Sequence, residues 1–597
     1  KIQRTKKISN PSNVRNQYHN EEPVSNVVHT TRIGRTTKAP KDLNFRQFNQ
    51  FIDSLEKETN TLQYNELEAK VLGTVFCHFT NKMTSPLLGP QQFIQQYSLK
   101  KAIKKWGNRA KKAAHKEVKQ LHDRVTFRPV HFHELSEIER KRAMESLMFL
   151  VEKRDETIKA RTCAVGTPQR QYVERDQAAS PTASTDGIIM TAVISTKQGR
   201  DNMTSDVPNA FVQTVISPED KPDKHKIIMK IRGTMVDILL QLDRELYEQY
   251  VIESSKGKVV YVEMEKALYG MLIASLLYYK KFVKDVQKIG FVLNPYDPCV
   301  ANRLIKGSQH TIAWHVDDIF SSHKDPKVND EFHEWLVKTY AEDGVGKVKF
   351  TRGKQHPYLG MIFDFSEPGK LKLDMKDYIE SMIEDFPQEL GKTKIPWNEK
   401  LFKEDKSEKN LDKEKQAIFH TFVMKGMFLS KRARQDILPA IAYLASRTSQ
   451  PNEGDWKKLV KVLEYLNNTT NEILTLEADD TQQLYWWVDA AFAVHPDFKS
   501  HTGATFSLGK GSITSTSTKQ KINSRSSTEA ELIALDDMLA KILHTKLFLE
   551  AQGFKVKINI VYRDNTSSMK LEQNGKESSG KRTRHYNIKY FYATDLI

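Results

Sequence analysis

Two adjacent carboxylates, Asp317 and Asp318, stand in the middle of an apolar, β-prone run at residues 311–320. Successive side chains of a strand point to opposite faces, so the two cannot both face a core, and like charges this close repel. A divalent metal is the usual compensation, with a third carboxylate completing the site and a hairpin holding the pair at its tip. A polar turn between two strands is the alternative interpretation, because Asp is a common turn residue.

Other motifs surround this pair in a fixed order. Asp206 lies upstream, with the aromatic Phe211 five positions after it, and a Leu-Tyr-Gly segment follows at residues 268–270. Downstream are Tyr-Leu-Gly-Met at 358–361 and Ser-Thr-Glu-Ala-Glu-Leu at 527–532. This order resembles the Pol polyprotein of copia-type LTR retrotransposons, in its reverse transcriptase and ribonuclease H portion.

The resemblance implies an α+β and α/β multidomain fold, in which a right-hand polymerase is followed by a helical connection and a ribonuclease H-like α/β domain. We expect a largely disordered basic arm at 1–90, reverse transcriptase fingers, palm and thumb at 91–395, the connection at 396–480 and the ribonuclease H-like domain at 481–597. The implied activity is RNA-directed DNA synthesis, with a ribonuclease H that degrades the RNA of RNA–DNA hybrids.

The resemblance places the polymerase metal ligands at Asp206, Asp317 and Asp318. Each active site would hold two Mg²⁺ ions, for which Mn²⁺ could substitute. Two such ions make a hydroxyl nucleophilic and neutralise a leaving group, in nucleotidyl transfer and in hydrolysis alike. Asp206 and Asp317 would bridge the ions, and Asp318 would support the site from its periphery.

Five residues are expected to bind the incoming nucleotide. Lys159 and Arg161 match the fingers Lys-Ala-Arg of the family, where the cations would hold the triphosphate. Phe211 would lie under the sugar and crowd a 2′-hydroxyl, and Tyr269 and Gly270 belong to the Leu-Tyr-Gly segment beside it. An exposed basic strand and an ordinary core Phe are the alternative interpretations.

The sequence departs from the family at two positions. Ile273 stands where the family has a Gln that touches nucleotide and template, and His315 stands where Tyr is commoner before Val-Asp-Asp. Two other functions therefore stay open. They are alternatives to a reverse transcriptase: a degenerate retroelement remnant that only binds nucleic acid, and a nuclease without polymerase activity.

In the last part of the chain, acids follow the ribonuclease H order of strand, helix and strand. Asp489 ends an apolar strand, Glu531 lies in the first turn of a helix and Asp564 follows the next strand. The resemblance makes these three metal ligands. Glu529 is better explained as a capping-box residue, since Ser526 stands three positions before it.

Near the end of the sequence, His585 is followed ten residues later by Asp595. This spacing resembles the His and the final Asp of ribonuclease H. Both residues are therefore included among the expected catalytic residues, with Asp595 as a fourth metal ligand.

These residues must be positioned by regular elements. Helical periodicity predicts helices at 98–121, 137–153, 268–289, 329–342, 377–386, 417–446, 456–466 and 528–550. Strands are expected at 158–161, 348–373 around a turn at 367–370, 484–489, 502–508, 512–518 and 556–562.

Composition limits the partners. The 597 residues include 92 Lys and Arg against 75 Asp and Glu, a formal charge of +17, which favours a polyanion. The expected partners are an RNA template, a DNA or RNA primer, an RNA–DNA hybrid and deoxynucleoside triphosphates, besides self-association or other products of a polyprotein. Basic residues of the 98–121 helix could follow template phosphates, or form an ordinary solvated face.

Cysteine usage and hydropathy give the expected compartment. Cys77, Cys163 and Cys299 are widely spaced, which favours neither a disulfide framework nor a zinc site and fits a reducing interior. No run approaches the length of a membrane span, so no membrane partner is expected. The resemblance implies an intracellular location, in cytoplasmic virus-like particles or the nucleus.

Overall fold

The computed structural model describes residues 28–30, 36–38, 97–152, 156–255, 257–341, 347–404, 407–575 and 593–594. The chain divides into an N-terminal unit, Lys1–Ala69, and a larger unit, Lys70–Ile597. In the N-terminal unit, β1 (Val28–Thr30) pairs antiparallel with β2 (Thr36–Lys38). The rest of the expected basic arm, with His585 and Asp595, lies outside the described residues.

The first region of the larger unit contains β3 (Tyr97–Ser98), α1 (Leu99–Asp123), β4 (Phe127–Val130), α2 (Glu137–Arg142), β5 (Met144–Glu152), β6 (Ile158–Ala164), α3 (Arg175–Ala178), α4 (Thr185–Lys197), β7 (Asp201–Asp206), β8 (Ile228–Arg232), α5 (Thr234–Leu242), α6 (Arg244–Tyr247), β9 (Ile252–Ser254) and β10 (Gly257–Met264). Its main sheet, here called the fingers sheet, has the order β3-β5-β8-β10-β4, with β6 beside β5 and β9 beside β10. Helix α1 buries its small and aliphatic residues and leaves its lysines exposed, as the sequence predicted.

The prediction of a single helix at 137–153 is wrong. Helix α2 ends at Arg142, after a capping box between Ser136 and Glu139, and β5 takes the rest of the segment. The residues of β5 pair with three strands of the fingers sheet, β3, β6 and β8, and β3 and β6 lie on opposite edges because both pair with Phe149 and Leu150. Sheet pairing has overridden a periodicity that fits a helix equally well.

The second region contains α7 (Ala274–Lys288), β11 (Val292–Asn294), β12 (Asp297–Ile305), β13 (Ser308–His315), β14 (Asp318–His323), α8 (Pro326–Tyr340) and β15 (Lys349–Thr351). Its sheet, the palm sheet, has the order β11-β12-β13-β14-β7-β15. Helix α7 begins six residues later than the expected start at 268. Gly270, with φ of +89°, prevents an earlier start because a helix cannot pass through that backbone conformation.

The remaining elements are β16 (Gln355–Tyr358), β17 (Met361–Asp364), β18 (Lys370–Asp374), α9 (Lys376–Glu384), α10 (Lys413–Ser430), α11 (Leu438–Ala445), α12 (Glu453–Asn468), β19 (Leu474–Ala478), β20 (Gln483–Ala491), β21 (His501–Ser507), β22 (Gly509–Lys510), β23 (Thr514–Lys519), α13 (Ser527–Ala551), β24 (Ile558–Tyr562) and α14 (Thr566–Asn574). One sheet has the order β16-β17-β18-β19-β22. Another, the C-terminal sheet, has the order β23-β21-β20-β24, in which β20 and β24 are parallel.

The core is continuous from the palm sheet to the C-terminal sheet. Buried Phe320, Phe419, Leu459 and Trp486 belong to one cluster, whereas the fingers sheet and α1 share a second. The sheet that joins β18, β19 and β22 crosses the expected limits at 395 and 480. Those limits remain a prediction, but the polymerase-like regions and the ribonuclease H-like α/β region confirm the expected fold class.

Helix α13 joins the C-terminal sheet to the palm through its second half. Asn294 Nδ2 donates to the Phe548 carbonyl at 2.9 Å, and Gln309 Nε2 donates to the Gln552 carbonyl at 2.6 Å. A salt bridge of 2.9 Å links Lys541 of α13 to Asp186 of α4. The C-terminal region is therefore held directly against the palm.

The described helices include none with the length and apolar character that a membrane crossing requires. This agrees with the hydropathy of the sequence.

A pair of buried histidines holds the C-terminal sheet against the segment that precedes α10. His495 Nε2 lies 3.0 Å from His501 Nδ1, and His501 Nε2 lies 2.7 Å from Ser517 Oγ. The Phe402 ring packs against both imidazoles, at 4.8 and 4.9 Å between centroids. Burial lowers the pKa of each histidine to about 4, with the cations of Lys519 and Lys499 adding to the effect at His495 and His495 adding to it at His501.

We expect this pair to make the fold acid-sensitive. An ordinary imidazole has a pKa of about 6.5, so the unfolded chain binds more protons than the folded one between about pH 4 and 6.5, and stability falls as the pH drops through that window. His501→Gln should flatten the fall in melting midpoint between pH 7 and pH 4, and the exposed His420→Gln should not. Parallel curves for wild type and His501→Gln would contradict this account.

Candidate functional site

Strand pairing brings the three palm acids to one end of the palm sheet. In the β13–β14 hairpin, His315 pairs with Asp318, which leaves Val316 and Asp317 as the turn. On the other edge of β14, Asp318 stands directly opposite Asp206 of β7. Val207 N donates to the Asp317 carbonyl at 3.0 Å and fixes the turn against β7. The expected hairpin and its third acid are therefore neighbours.

Burial and mutual repulsion dominate the electrostatics of this cluster. Burial, with the Asp206 charge adding to it, raises the pKa of Asp317 to about 6. Burial and the charges of Asp317 and Asp206 hold the pKa of Asp318 well above its usual range. Burial also raises the pKa of Asp206, against the opposing effect of Lys349, Lys159 and Arg161. The nearby cations do not balance the charge of the three carboxylates, and this imbalance favours the binding of a metal cation.

The predicted fingers cations lie on β6 and act on these acids. Lys159 is exposed and Arg161 is half-buried, and both cations lower the pKa of Asp317. The Arg161 guanidinium lies 4.2 Å from the centre of the Tyr269 ring. The fingers strand and the palm acids therefore share one electrostatic environment.

Glu117 of α1 is a positioning residue that the sequence did not reveal. Its Oε1 accepts from Thr162 N at 2.8 Å, on the strand that carries Lys159 and Arg161. Burial raises the pKa of Glu117, with Thr162, Arg161 and Lys159 opposing the shift. The available signal was one of two acids within a strongly basic helix, which by itself predicts only a solvated face.

The predicted Tyr269 and Gly270 close the gap between fingers and palm. Ala164 N donates to the Tyr269 carbonyl at 2.8 Å, and a Cβ on Gly270 would lie 2.0 Å from the Ala164 carbonyl oxygen. The Tyr269 ring packs 4.7 Å from Phe211, which lies in a short 3-10 helix. Arg161, Tyr269 and Phe211 thus form one row of contacts beside the palm acids.

Ile273, the departure from the family, is a core residue. It is 3% exposed and belongs to the fingers core. Beside it, Leu272 N donates to Oε1 of Gln169 at 2.7 Å, and Gln169 is fully buried. A glutamine is therefore present next to this segment, but it comes from another part of the chain.

The turn at Leu359 and Gly360 is held by the connection. Both residues have positive φ, of +52° and +80°. Arg432 Nε donates to the Leu359 carbonyl at 3.3 Å, and its guanidinium lies 3.6 Å from the centre of the Phe428 ring. Tyr358 Oη donates to the Asp318 carbonyl at 3.3 Å. Helix α10 therefore supports the turn next to the palm hairpin, a contact that sequence reasoning missed.

A second acidic cluster lies at the edge of the C-terminal sheet. Asp489 on β20, Glu531 on α13 and Asp564 after β24 each offer a ligand oxygen, and these oxygens lie within 4.8 Å of one another. Because β20 and β24 are parallel, their carboxyl ends meet at one edge, where the first turns of α13 pack. Carboxylate oxygens suit Mg²⁺ or Mn²⁺. The sequence predicted this trio, and the structure brings it together.

The neighbours of Glu531 and Glu529 separate their roles. Glu531 Oε1 accepts from Ala490 N at 3.1 Å, and burial raises its pKa against the opposing charge of Arg563. Glu529 Oε2 accepts from Arg525 N at 2.6 Å at the start of α13. Glu529 is thus a capping residue, as expected.

Within the described part of the chain, the carboxylate oxygens of the three palm acids do not converge as closely as those of this trio.

Comparisons with known proteins agree with this geometry. Residues 149–396 match the family RVT_2, reverse transcriptase (RNA-dependent DNA polymerase). The retrovirus-related Pol polyprotein from transposon TNT 1-94 of Nicotiana tabacum is 26% identical over 408 residues, 64% of this chain. The Transposon Ty1-LR2 Gag-Pol polyprotein of Saccharomyces cerevisiae is 22% identical over 505 residues, 81% of this chain. The reverse transcriptase match and these two relatives together support a copia-type Pol polyprotein.

The chain spans 30% of the length of the tobacco relative and 26% of the yeast one. Among solved structures, it is similar to a foamy viral protease-reverse transcriptase in complex with double-stranded DNA. The sequence identity is 13%, the TM-score is 0.44, and the match covers 94% of this chain and 86% of the other. The palm acids and the fingers cations of β6 all lie inside the reverse transcriptase match.

Gly270 tests the fingers–palm junction. Gly270→Ala should lower stability by roughly 3 kcal/mol or more, because the Ala164 backbone must move, and it should raise the KM for deoxynucleotides. Gly290→Ala is the matched control. It has a similar φ of +90° with no atom within 4 Å of its Cβ, so it should lose only about 1–2 kcal/mol of backbone strain. Equal melting midpoints and KM values for the two variants would contradict the close contact.

Proposed function

We propose that this copia-type reverse transcriptase extends a DNA or RNA primer along an RNA template at the palm acids, and degrades the RNA of the hybrid at the C-terminal trio. The observation that carries the first activity is the register of the palm sheet. It sets Asp206 opposite Asp318, with Asp317 at the adjoining turn and the β6 cations acting on it.

The palm acids would hold the metal ions. Asp206 and Asp317 would hold the ions, and the buried Asp318 would support them from the strand after the turn. When bound, two Mg²⁺ ions, or Mn²⁺ in their place, make the primer 3′-hydroxyl nucleophilic and neutralise the pyrophosphate leaving group. Because burial raises the pKa of Asp317 to about 6, protonation would compete with metal binding at the palm acids as the pH falls below neutral.

The fingers residues would bind the nucleotide. Lys159, exposed on β6, and Arg161, fixed over the Tyr269 ring, donate to the triphosphate and hold it in line with the primer end. Phe211, packed on Tyr269, crowds the 2′ carbon of the sugar and favours deoxyribonucleotides. The exposed lysines of α1, among them Lys100, Lys101 and Lys104, bind template phosphates.

The C-terminal trio would perform hydrolysis. Asp489, Glu531 and Asp564 present convergent oxygens for the same class of ion, with water in place of the primer hydroxyl. Asp595 as a fourth ligand and His585 as a catalytic residue remain predictions from the sequence. The proposed setting is intracellular, in cytoplasmic particles or the nucleus, where the chain acts with itself or with other products of its polyprotein.

Two other functions stay as alternatives. A degenerate remnant would bind nucleic acid without catalysis, and a nuclease would cut hybrids without extending primers. Ile273, which lies in the fingers core and offers no polar group to a nucleotide, is the feature that favours the remnant. Primer extension on an RNA template, with and without Mg²⁺, separates all three functions.

Asp317→Asn should reduce DNA synthesis on the order of a thousandfold, the loss typical of removing one group that stabilises transition-state charge. Hybrid affinity, measured by fluorescence anisotropy, should stay within about twofold because Asp317 binds metal and contacts no phosphate. Asp330→Asn, an exposed acid on α8, is the matched control and should extend primers like wild type. A parallel loss of hybrid binding in Asp317→Asn would refute the assignment.

Glu531→Gln should stop RNA cleavage in a labelled hybrid yet leave extension on a DNA template near wild type, since its ions lie in another sheet from the palm acids. Glu529→Gln is the control, because its side chain caps α13 and a Gln can do the same. It should cleave normally. If the distant acids met in one composite site, Glu531→Gln and Asp317→Asn would each silence both reactions.

A further inference from the structure

A buried arginine contacts the hydrolytic trio from behind. Arg563, the residue before Asp564, has a side chain that is 2% exposed, and the Glu531 side chain beside it is 5% exposed. Arg563 Nη2 donates to Glu531 Oε2 at 2.8 Å. Its Nη1 donates to Glu572 of α14, which is equally buried. One guanidinium thus bridges a candidate metal ligand and an acid outside the trio.

Both oxygens of Glu531 are occupied. Oε1 accepts from Ala490 N at 3.1 Å, and Oε2 accepts from Arg563. Among the described residues, Nε of Arg563 has no hydrogen-bond partner, so this guanidinium depends on the two carboxylates. A charged donor in a buried setting binds a carboxylate strongly. A divalent ion that takes Glu531 must therefore displace or oppose a cation already in contact with it.

We propose that Arg563 is a positioning residue that competes with the metal for Glu531 and so weakens divalent-cation binding at the trio. The inference rests on the proposed hydrolytic function of that site. The trio supplies three carboxylates of the right chemistry within 4.8 Å, so the site fits the ion. Arg563 sets how much metal is needed to fill it.

A purely structural bridge predicts a different result. If Arg563 only neutralised two buried acids, its removal would disorder Glu531 and leave metal affinity unchanged or lower. If Arg563 competes with the metal for Glu531, its removal should instead tighten metal binding. Metal affinity therefore separates the two roles.

The test uses the full chain carrying Asp206→Asn and Asp317→Asn, so that the palm acids do not contribute to the signal. Mn²⁺ binding is followed by electron paramagnetic resonance and calorimetry. The variant is Arg563→Met with Glu572→Gln, which removes one positive and one negative charge together. Formal charge around the trio is unchanged, so any gain in affinity comes from freeing Glu531.

The expected result is Mn²⁺ binding about tenfold tighter, equivalent to about 1.4 kcal/mol. The Mn²⁺ concentration for half-maximal hybrid cleavage should fall by a similar factor in a background with intact palm acids. Arg563→Lys, which keeps the charge, should stay near wild type. Arg447→Met with Glu404→Gln removes a similar bridge, between Glu404 and Asp455, and should not change Mn²⁺ binding.

Unchanged or weaker Mn²⁺ binding in the folded Arg563→Met/Glu572→Gln protein overturns the proposal. If that variant fails to fold, Arg563→Gln with Glu572→Gln keeps donors for Glu531 without the charge and is judged by the same affinity criterion. Asp489→Asn in the same background tests whether the Mn²⁺ ion binds at the trio at all. Its loss of Mn²⁺ binding supports the trio, whereas persistent binding shows that the ion sits elsewhere and overturns the hydrolytic assignment as well.

Discussion

Repulsion among Asp206, Asp317 and Asp318 is the interaction on which the palm depends. Three carboxylates at one end of a sheet are costly to bury, and Asp318 is only 9% exposed. Part of the cost is offset from the fingers, because Lys159 and Arg161 act on the acids from a different sheet. The candidate site is therefore incomplete on either sheet alone, and the contacts that join the two sheets are part of it.

One of those contacts is made by the backbone, since Gly270 brings its peptide against the end of β6. Within the fingers, the Glu117 side chain accepts from a backbone N–H of the same strand. A backbone contact fixes a distance tightly, since a peptide has fewer ways to move than a long side chain. The strand that carries Lys159 and Arg161 is therefore held at its end by Gly270 and along its length by Glu117. At the C-terminal trio the opposing charge is instead in direct contact, through Arg563 and Glu531.

The sequence was sufficient for elements whose signal is local. The apolar, β-prone run around Asp317 predicted the hairpin, and the strand, helix, strand order of acids predicted the trio with Glu531 as a member. The sequence was insufficient where the partners of a residue lie far away along the chain. The segment that forms β5 has a periodicity that fits a helix, and only its neighbours in the sheet decide otherwise. Arg432 and Glu117 form hydrogen bonds with backbone groups that are far away in the sequence, so no sequence spacing predicts these contacts.

Helix α13 carries Glu531 near its beginning and docks on the palm through the carbonyl of Phe548 near its end. At 1.5 Å of rise per residue, the 17 residue steps between them separate Glu531 from its palm anchor by roughly 26 Å along the helix. The spacing between the acidic trio and the edge of the palm is therefore set by the number of turns in one helix. Inserting or deleting one turn between Glu531 and Phe548 would move the trio relative to the palm by about 5 Å.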